Sequence, residues 1–236
     1  MKDIKLNPDL RINKVKIPGT SLYVVIVDEF LLDTSSVMNF AHNIAYFNPM
    51  FSDNSFYPGI RDNMPLPYMR LLKSFFEDRI ITKNNSQNDT VSSFHKCLLS
   101  LTTCQPSQLT TEQKLPHIDS FDERDYAFVH YLSGEELGGT SLYRYKPENL
   151  IQFTEEYQPI LAKMFTDIKN SPEDHEGYIT SSTSVFEQVL KIDAKFNRLV
   201  IYQGNLLHSA NLISKESYNN DPKTGRLSIA SFASIK

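Results

Sequence analysis

Apolar positions recur at helical spacing in two stretches of the first third of the chain, and then mostly at the spacing of strands. Ser21 to Phe30, rich in Val and Ile, reads as a β-strand, and Asp33-Thr34-Ser35-Ser36 offers N-cap residues for a helix running towards Tyr46. Phe47 to Pro67 is aromatic and turn-rich, holding Asn48-Pro49, Tyr57-Pro58-Gly59 and Met64-Pro65-Leu66-Pro67, dipeptides that interrupt regular structure. Tyr68 to Ile81 places Met69, Leu72, Phe75, Phe76 and Ile80 on one helical stripe, and Lys83 to Thr90 is a polar loop. From His95 the period becomes that of strands: His95 to Thr103, Tyr126 to Leu132, and Thr140 to Tyr145 after Gly138-Gly139. One helical insertion fits Pro147 to Asn170, with Pro147 in the first turn and Pro172 past the end. Strands resume at Val185 to Ile192, Arg198 to Tyr202, Leu206 to Leu212 and Arg226 to Ala233, with a polar loop from Ser214 to Gly225.

Many short strands behind two leading helices predict an α+β chain with a mainly β core, a jelly roll or barrel buttressed by helices. A helical first half packed on a β second half has the same composition. No linker separates two units, so residues 1–236 read as one domain. In it, 1–92 give helical support and an entrance loop, and 93–236 form the core with the inserted helix near 147–170.

Bulk properties narrow the function classes. The 236 residues are 40% hydrophobic and 22% charged, ordinary values for a globular protein. A net charge of −4 leaves no basic footprint for nucleic acid. The N-terminus mixes both charge signs before any apolar run, unlike a secretory signal, and the longest apolar runs are too short to span a bilayer. If the segment between Cys97 and Cys104 is one strand, the two lie on opposite faces and too far apart to pair without a turn between them. The expectation is a cytoplasmic protein with reduced thiols and neither a membrane nor a nucleic-acid partner.

Candidate chemistry concentrates in His117-Ile118-Asp119, the distal His208, and Arg226-Leu227-Ser228. Two residues apart on an extended segment, His117 and Asp119 project from one face. Two imidazoles and a carboxylate are the ligand set of the facial triad that holds Fe(II) with open positions. The plainer alternative is a loop-turn pair plus an unrelated core histidine. Arg226 offers a planar, bidentate match to a carboxylate, with Ser228 on the same strand face, or is a surface arginine paired to an acidic neighbour.

The order His117-x-Asp119, Tyr131-Leu132-Ser133, Gly138-Gly139-Thr140-Ser141, His208, Arg226-x-Ser228 resembles the 2-oxoglutarate/Fe(II)-dependent dioxygenases, in particular their prolyl-hydroxylase-like branch, over roughly residues 100–236. The Phe56-Tyr57-Pro58-Gly59-Ile60-Arg61 segment is similar to an uncharacterised bacterial family of that superfamily. The resemblance implies a double-stranded β-helix, a distorted jelly roll, with His117, Asp119 and His208 as iron ligands and Arg226 on the far carboxylate of 2-oxoglutarate. It puts Ser228 and Tyr131 near that carboxylate, and Gly138-Gly139 where the next strand turns beside the core. It also implies hydroxylation by molecular oxygen, with release of succinate and CO2, of an amino-acid unit that is free, carrier-bound or in a polypeptide. The Ser214 to Gly225 loop and the Pro147 to Asn170 helix depart from the family's minimal barrel. A cupin-like barrel using another metal, or a non-catalytic relative, would keep part of the same pattern.

Other histidines have plain explanations. His130 alternates with Phe128 and Leu132 as a hydrogen-bonded barrel residue, His175 sits among Glu173, Asp174 and Glu176 in a solvated loop, and His42 lies mid-helix. Arg61, after a rigid Tyr57-Pro58-Gly59 turn, either clamps a substrate carboxylate or carbonyl at the entrance or caps its own loop.

Overall fold

The computed structural model describes residues 3–81 and 91–236; the expected polar loop from Lys83 to Thr90 lies outside the described residues. The strands are β1 (Arg11–Lys16), β2 (Tyr23–Asp28), β3 (Gly59–Asn63), β4 (Val91–Thr102), β5 (Asp125–Tyr131), β6 (Gly139–Tyr145), β7 (Phe186–Ile192), β8 (Leu199–Gln203), β9 (His208–Asn211) and β10 (Leu227–Ile235). The α-helices are α1 (Ser35–Asn43), α2 (Leu66–Phe76) and α3 (Gln158–Lys169), with a π-helical turn, Glu77–Ile81, continuing α2. The chain is therefore α+β with a mainly β core.

Two antiparallel sheets carry that core, in the orders β1-β2-β8-β5-β10-β4-β3 and β7-β6-β9. The chain crosses between them: β4 and β5 lie in the large sheet, β6 and β7 in the small, β8 in the large, β9 in the small, and β10 closes between β4 and β5. Strand alternation sorts side chains into three apolar layers. Val37, Leu72, Phe75 and Phe76 of α1 and α2 pack on Leu99, Phe128 and Ile229 of the large sheet. Ala127, Tyr131, Val200 and Tyr202 of that sheet join Leu142, Ile192 and Leu206 between the sheets. Tyr143, Tyr145 and Phe186 of the small sheet receive Met164 and Ile168 of α3. Each fully buried Phe or Leu contributes about 1.5–3 kcal/mol.

Several expectations change. β1 and β3 join the edges of the large sheet although neither shows in the hydrophobic pattern. β1 is exposed along nearly its whole length, and backbone pairing to β2 holds it; β3 carries one aliphatic residue, Ile60, and pairs with β4. The helix expected over Pro147 to Asn170 is half that length. Pro147 sits in a 3-10 turn, Asn149 takes φ 56°, and Leu150 pairs back onto Tyr145. Phe153 N donates to Asn205 O and Leu207 N to Ile151 O, so this stretch is drawn along the sheet edge and burial of Ile151 and Phe153 overrides the helical spacing. His175, expected in a solvated loop, is 5% exposed: its ring packs on Phe186 and its Nδ1 meets the Ser171 carbonyl at 2.9 Å. At α1 the cap comes from Asp33, whose carboxylate accepts from the Ser35 N–H at 2.8 Å, while Thr34 makes no side-chain cap. Both cysteines are free, and Cys104 lies beyond the end of the strand that carries Cys97.

Candidate metal centre and its cavity

His117 lies outside any strand, yet the segment around it is pinned to β9. His117 N donates to His208 O at 2.8 Å, His208 N returns the bond to His117 O at 2.9 Å, and Asp119 N donates to Gly204 O at 2.8 Å. The 203–206 turn, closed by Leu206 N on Gln203 O at 3.1 Å, thus fixes the Asp119 end of the His-x-Asp, and the start of β9 fixes the His117 end. The three side chains meet: His208 Nε2 is 3.5 Å from Asp119 Oδ2, His117 Nε2 is 4.0 Å from Asp119 Oδ1, and the rings are 4.4 Å apart. One ligand atom from each residue lies within 4.8 Å of the others.

The protonation pattern of this cluster is informative. His208 Nδ1 sits 2.8 Å from the Leu206 carbonyl, which only accepts, so Nδ1 carries the hydrogen. Its Nε2 is then a bare lone pair facing a carboxylate oxygen. Burial lowers the His208 pKa to about 4, against a hydrogen bond to Leu206 that works the other way. Crowding at the cavity wall first, and then the neighbouring His208, lower the His117 pKa as well. Burial raises the Asp119 pKa, and His117 and Arg61 oppose the rise. Two imidazoles, one with its Nε2 lone pair bare, and a carboxyl group converge here as acceptors that a divalent cation compensates. An imidazole whose other nitrogen is held by a backbone carbonyl is also the arrangement that orients a metal ligand.

His117 and Asp119 line a cavity of about 680 Å³, and 55% of the His117 side-chain surface remains free there. Arg226 is not among the residues that line this cavity. That residue is 3% exposed; its Nη2 donates to Gly139 O at 3.1 Å, and its buried Nε has no partner among the described residues. Tyr131, whose ring centre is 5.8 Å from the guanidinium carbon, bonds Thr140 through its hydroxyl at 2.6 Å, and Ser228 pairs across the sheet with Tyr131. Gly138, at φ 90°, and Gly139 let the chain pass here: a Cβ would come within 1.9 Å of Asn211 O at the first and of Ile192 O at the second.

Arg61 belongs to the same constellation. Arg61, Ser100, Ser228 and Tyr131 occupy one row across β3, β4, β10 and β5, so they share the inward face. Arg61 is on a strand and not in the turn its sequence suggests, and it does bind its own loop, through Asp53 at 2.9 Å and Ser55 at 3.1 Å. It also lines the cavity. Of the seven residues singled out from the sequence, Arg61, His117 and Asp119 line this cavity, His208 meets Asp119 beside it, and Tyr131, Arg226 and Ser228 group at the Gly138-Gly139 end of the sheets.

Others of the site carry no signal in the sequence. Tyr202 packs edge-on against His208 at 4.8 Å, but nothing in its position along β8 separates it from the other buried tyrosines. Tyr178, after α3, and Tyr218, in the 214–225 loop, stack at 5.9 Å; Tyr178 donates to Cys104 O at 2.7 Å and lines the cavity. The 214–225 loop therefore meets the segment that follows α3 beside the cavity.

A family model described as "Family of unknown function (DUF6445)" matches residues 8–233, and the chain belongs to that family. No curated protein matches it. Sixteen chains of solved structure do. One of them, described as "The structure of OsALKBH1", is 11% identical, with 95% of this chain and 99% of that chain covered and a TM-score of 0.41. Among the described residues, no helix is long and apolar enough to cross a membrane.

Proposed function

We propose that this member of a family of unknown function is an Fe(II)- and 2-oxoglutarate-dependent oxygenase that hydroxylates an amino-acid unit. The observation that carries the reading is the bare Nε2 of His208 facing the Asp119 carboxylate at 3.5 Å, with His117 beside them at the wall of a cavity. His117, Asp119 and His208 would hold the metal on one face and leave its remaining positions open to the cavity. The strand order β4-β10-β5-β8 opposite β7-β6-β9, with His117 bridged onto β9, supports a double-stranded β-helix.

The far end of the site fits a dicarboxylate. The unspent, buried Nε–H of Arg226 is a charged donor that lacks an acceptor, and a carboxylate supplies one. His208 pairs with Leu142 and Gly139 with Asn211, so the Arg226 end lies about three residues, roughly 10 Å, along the strands from His208. With side chains reaching inward from both ends, a five-carbon diacid would span that distance. Ser228 and Tyr131 flank it, and Thr140 holds the Tyr131 ring in place. The chemistry supplied when metal and co-substrate are bound is oxidation by molecular oxygen with release of succinate and CO2. The protein's part is to orient the two reactants and keep bulk water from them.

Adding Fe(II) and then 2-oxoglutarate to the protein without oxygen tests this reading. The expected result is the weak visible charge-transfer band of a chelated 2-oxo acid, absent in His208→Ala. In Arg226→Met the band should need roughly 10- to 100-fold more 2-oxoglutarate. No band in the wild type, with iron demonstrably bound, replaces this reading with a cupin-like or non-catalytic metal protein.

A further inference from the structure

We infer that the cavity receives an uncharged, amide-linked amino-acid unit with an apolar side chain, and that Arg61 holds its carbonyl oxygen. The chemistry done there rests on the oxygenase reading; the recognition rests on the cavity alone.

Arg61 has five N–H donors. Its Nε donates to Ser100 Oγ at 3.1 Å, and its Nη1 to Asp53 Oδ2 at 2.9 Å and Ser55 Oγ at 3.1 Å. The Tyr57 ring lies against the guanidinium, 3.9 Å from its carbon. The side chain is 13% exposed and lines the cavity. Among the described residues Nη2 has no hydrogen-bond partner, so one edge of an otherwise immobilised fork is left for a ligand. Ordering that donor at binding costs little because the fold has already done it.

Charge decides which acceptor that edge suits. Burial works to raise the Asp53 pKa, but the hydrogen bonds from Ser55 and Arg61 outweigh it and hold the carboxyl below its ordinary value. Asp53 is thus ionised against Arg61, and the pair is neutral as a unit. Of the other charged lining residues, Lys96 is offset by Glu112 and Asp125, and its Nζ already bonds Asp53 O at 2.9 Å. A ligand carboxylate would lose its hydration here without meeting an uncompensated cation, and Asp53 and Asp119 would repel it. A carbonyl gains the hydrogen bonds without that loss. Phe56, Ile118, Leu161, Met164 and Phe165 supply the apolar walls, which fit an aliphatic or aromatic side chain.

The test is calorimetric titration of the full chain, loaded with Zn(II) and 2-oxoglutarate and also metal-free. The probes are N-acetyl-leucine amide and N-acetyl-phenylalanine amide, against the matching N-acetyl acids and free amino acids. The expected result is at least ten-fold tighter binding of the amides in both forms, with the preference reduced below three-fold in Arg61→Met. Asp53→Asn keeps a polar partner for Arg61 while freeing its charge, so the acids should gain at least ten-fold relative to the amides. Equal or tighter binding of the acids by the wild type overturns the inference, as does no binding of any probe or an unchanged preference in Asp53→Asn. A normal charge-transfer band without amide preference would sink this inference and leave the oxygenase reading standing; amide preference without the band would do the reverse.

Discussion

His130 and His208 are both buried histidines, 0% and 5% exposed, and burial lowers the pKa of each to about 4. Their ring nitrogens meet different partners. In His130 the Tyr68 hydroxyl lies 2.9 Å from Nδ1 and Asn197 Oδ1 lies 3.1 Å from Nε2. Two bonds to the Leu31 backbone, 3.0 and 2.9 Å long, fix which end of the Asn197 amide is oxygen. Nε2 therefore carries the hydrogen of His130, Tyr68 donates to Nδ1, and the ring is fully satisfied. In His208 the Leu206 carbonyl takes the Nδ1 hydrogen and Nε2 is left facing a carboxylate. Burial and a depressed pKa do not distinguish a site from a core; at His208 the distinction is a bare Nε2 that faces a carboxylate beside a second imidazole.

Metal affinity should separate the two most sharply. Losing His208 or Asp119 to alanine removes a ligand, and orienting partners alone are worth 10- to 100-fold, so binding of Fe(II) or Co(II) by titration calorimetry should fall by roughly a thousand-fold, about 4 kcal/mol. His130→Ala should change it by less than about three-fold; a large loss there would dissolve the distinction.

Stability should show the opposite ranking. His130→Ala leaves the Tyr68 hydroxyl and one Asn197 acceptor position without a partner and opens a cavity beside Phe30, a loss of about 3 kcal/mol in urea denaturation. His208→Ala in the metal-free protein should cost about 1 kcal/mol or less, since it also removes a lone pair set against a carboxylate. Equal losses would show that His208 is an ordinary core residue.

Acid should act on His130 as well, with a smaller effect. The folded protein keeps His130 neutral to about pH 4, while the unfolded chain takes up the proton near pH 6.5. The stability gained by keeping it neutral is therefore complete above about pH 6.5 and lost as pH falls towards 4. At pH 5 the loss is about 2 kcal/mol for this one group. Urea titrations at pH 7 and pH 5 should show that part of the loss disappearing in His130→Gln.

Some of this was open to reading along the chain. The two-residue spacing of His117 and Asp119 already puts both side chains on one face, and the strands that carry Tyr131, His208 and Ser228 follow from alternation. Arg61 shows where local signals stop. Tyr57-Pro58-Gly59 reads as a turn, but the chain leaves it as β3, and only its register with Ser100 and Ser228 turns the guanidinium inward. The 147–170 stretch fails for a related reason: its spacing favours helix, and pairing of Leu150 with Tyr145 and burial of Ile151 and Phe153 outweigh that preference before Gln158. His175 has acidic neighbours on both sides, yet a 3-10 turn over Pro172–Asp174 folds its ring onto Phe186.

The sequence by itself determined the chemical means: which side chains can donate, accept or ligate, and the alternation that divides inward from outward positions on each strand. Those properties are local, set by covalent structure and by backbone periods of a few residues. Only the tertiary structure decided where they meet. The mutual hydrogen bonds of His117 and His208, the Leu206 carbonyl that leaves Nε2 bare, the unspent Nε of Arg226 and the pairing of Arg61 with Asp53 all depend on long-range register or on how a loop closes. That register is selected by burial of three apolar layers taken together, a sum over many residues that no short motif contains.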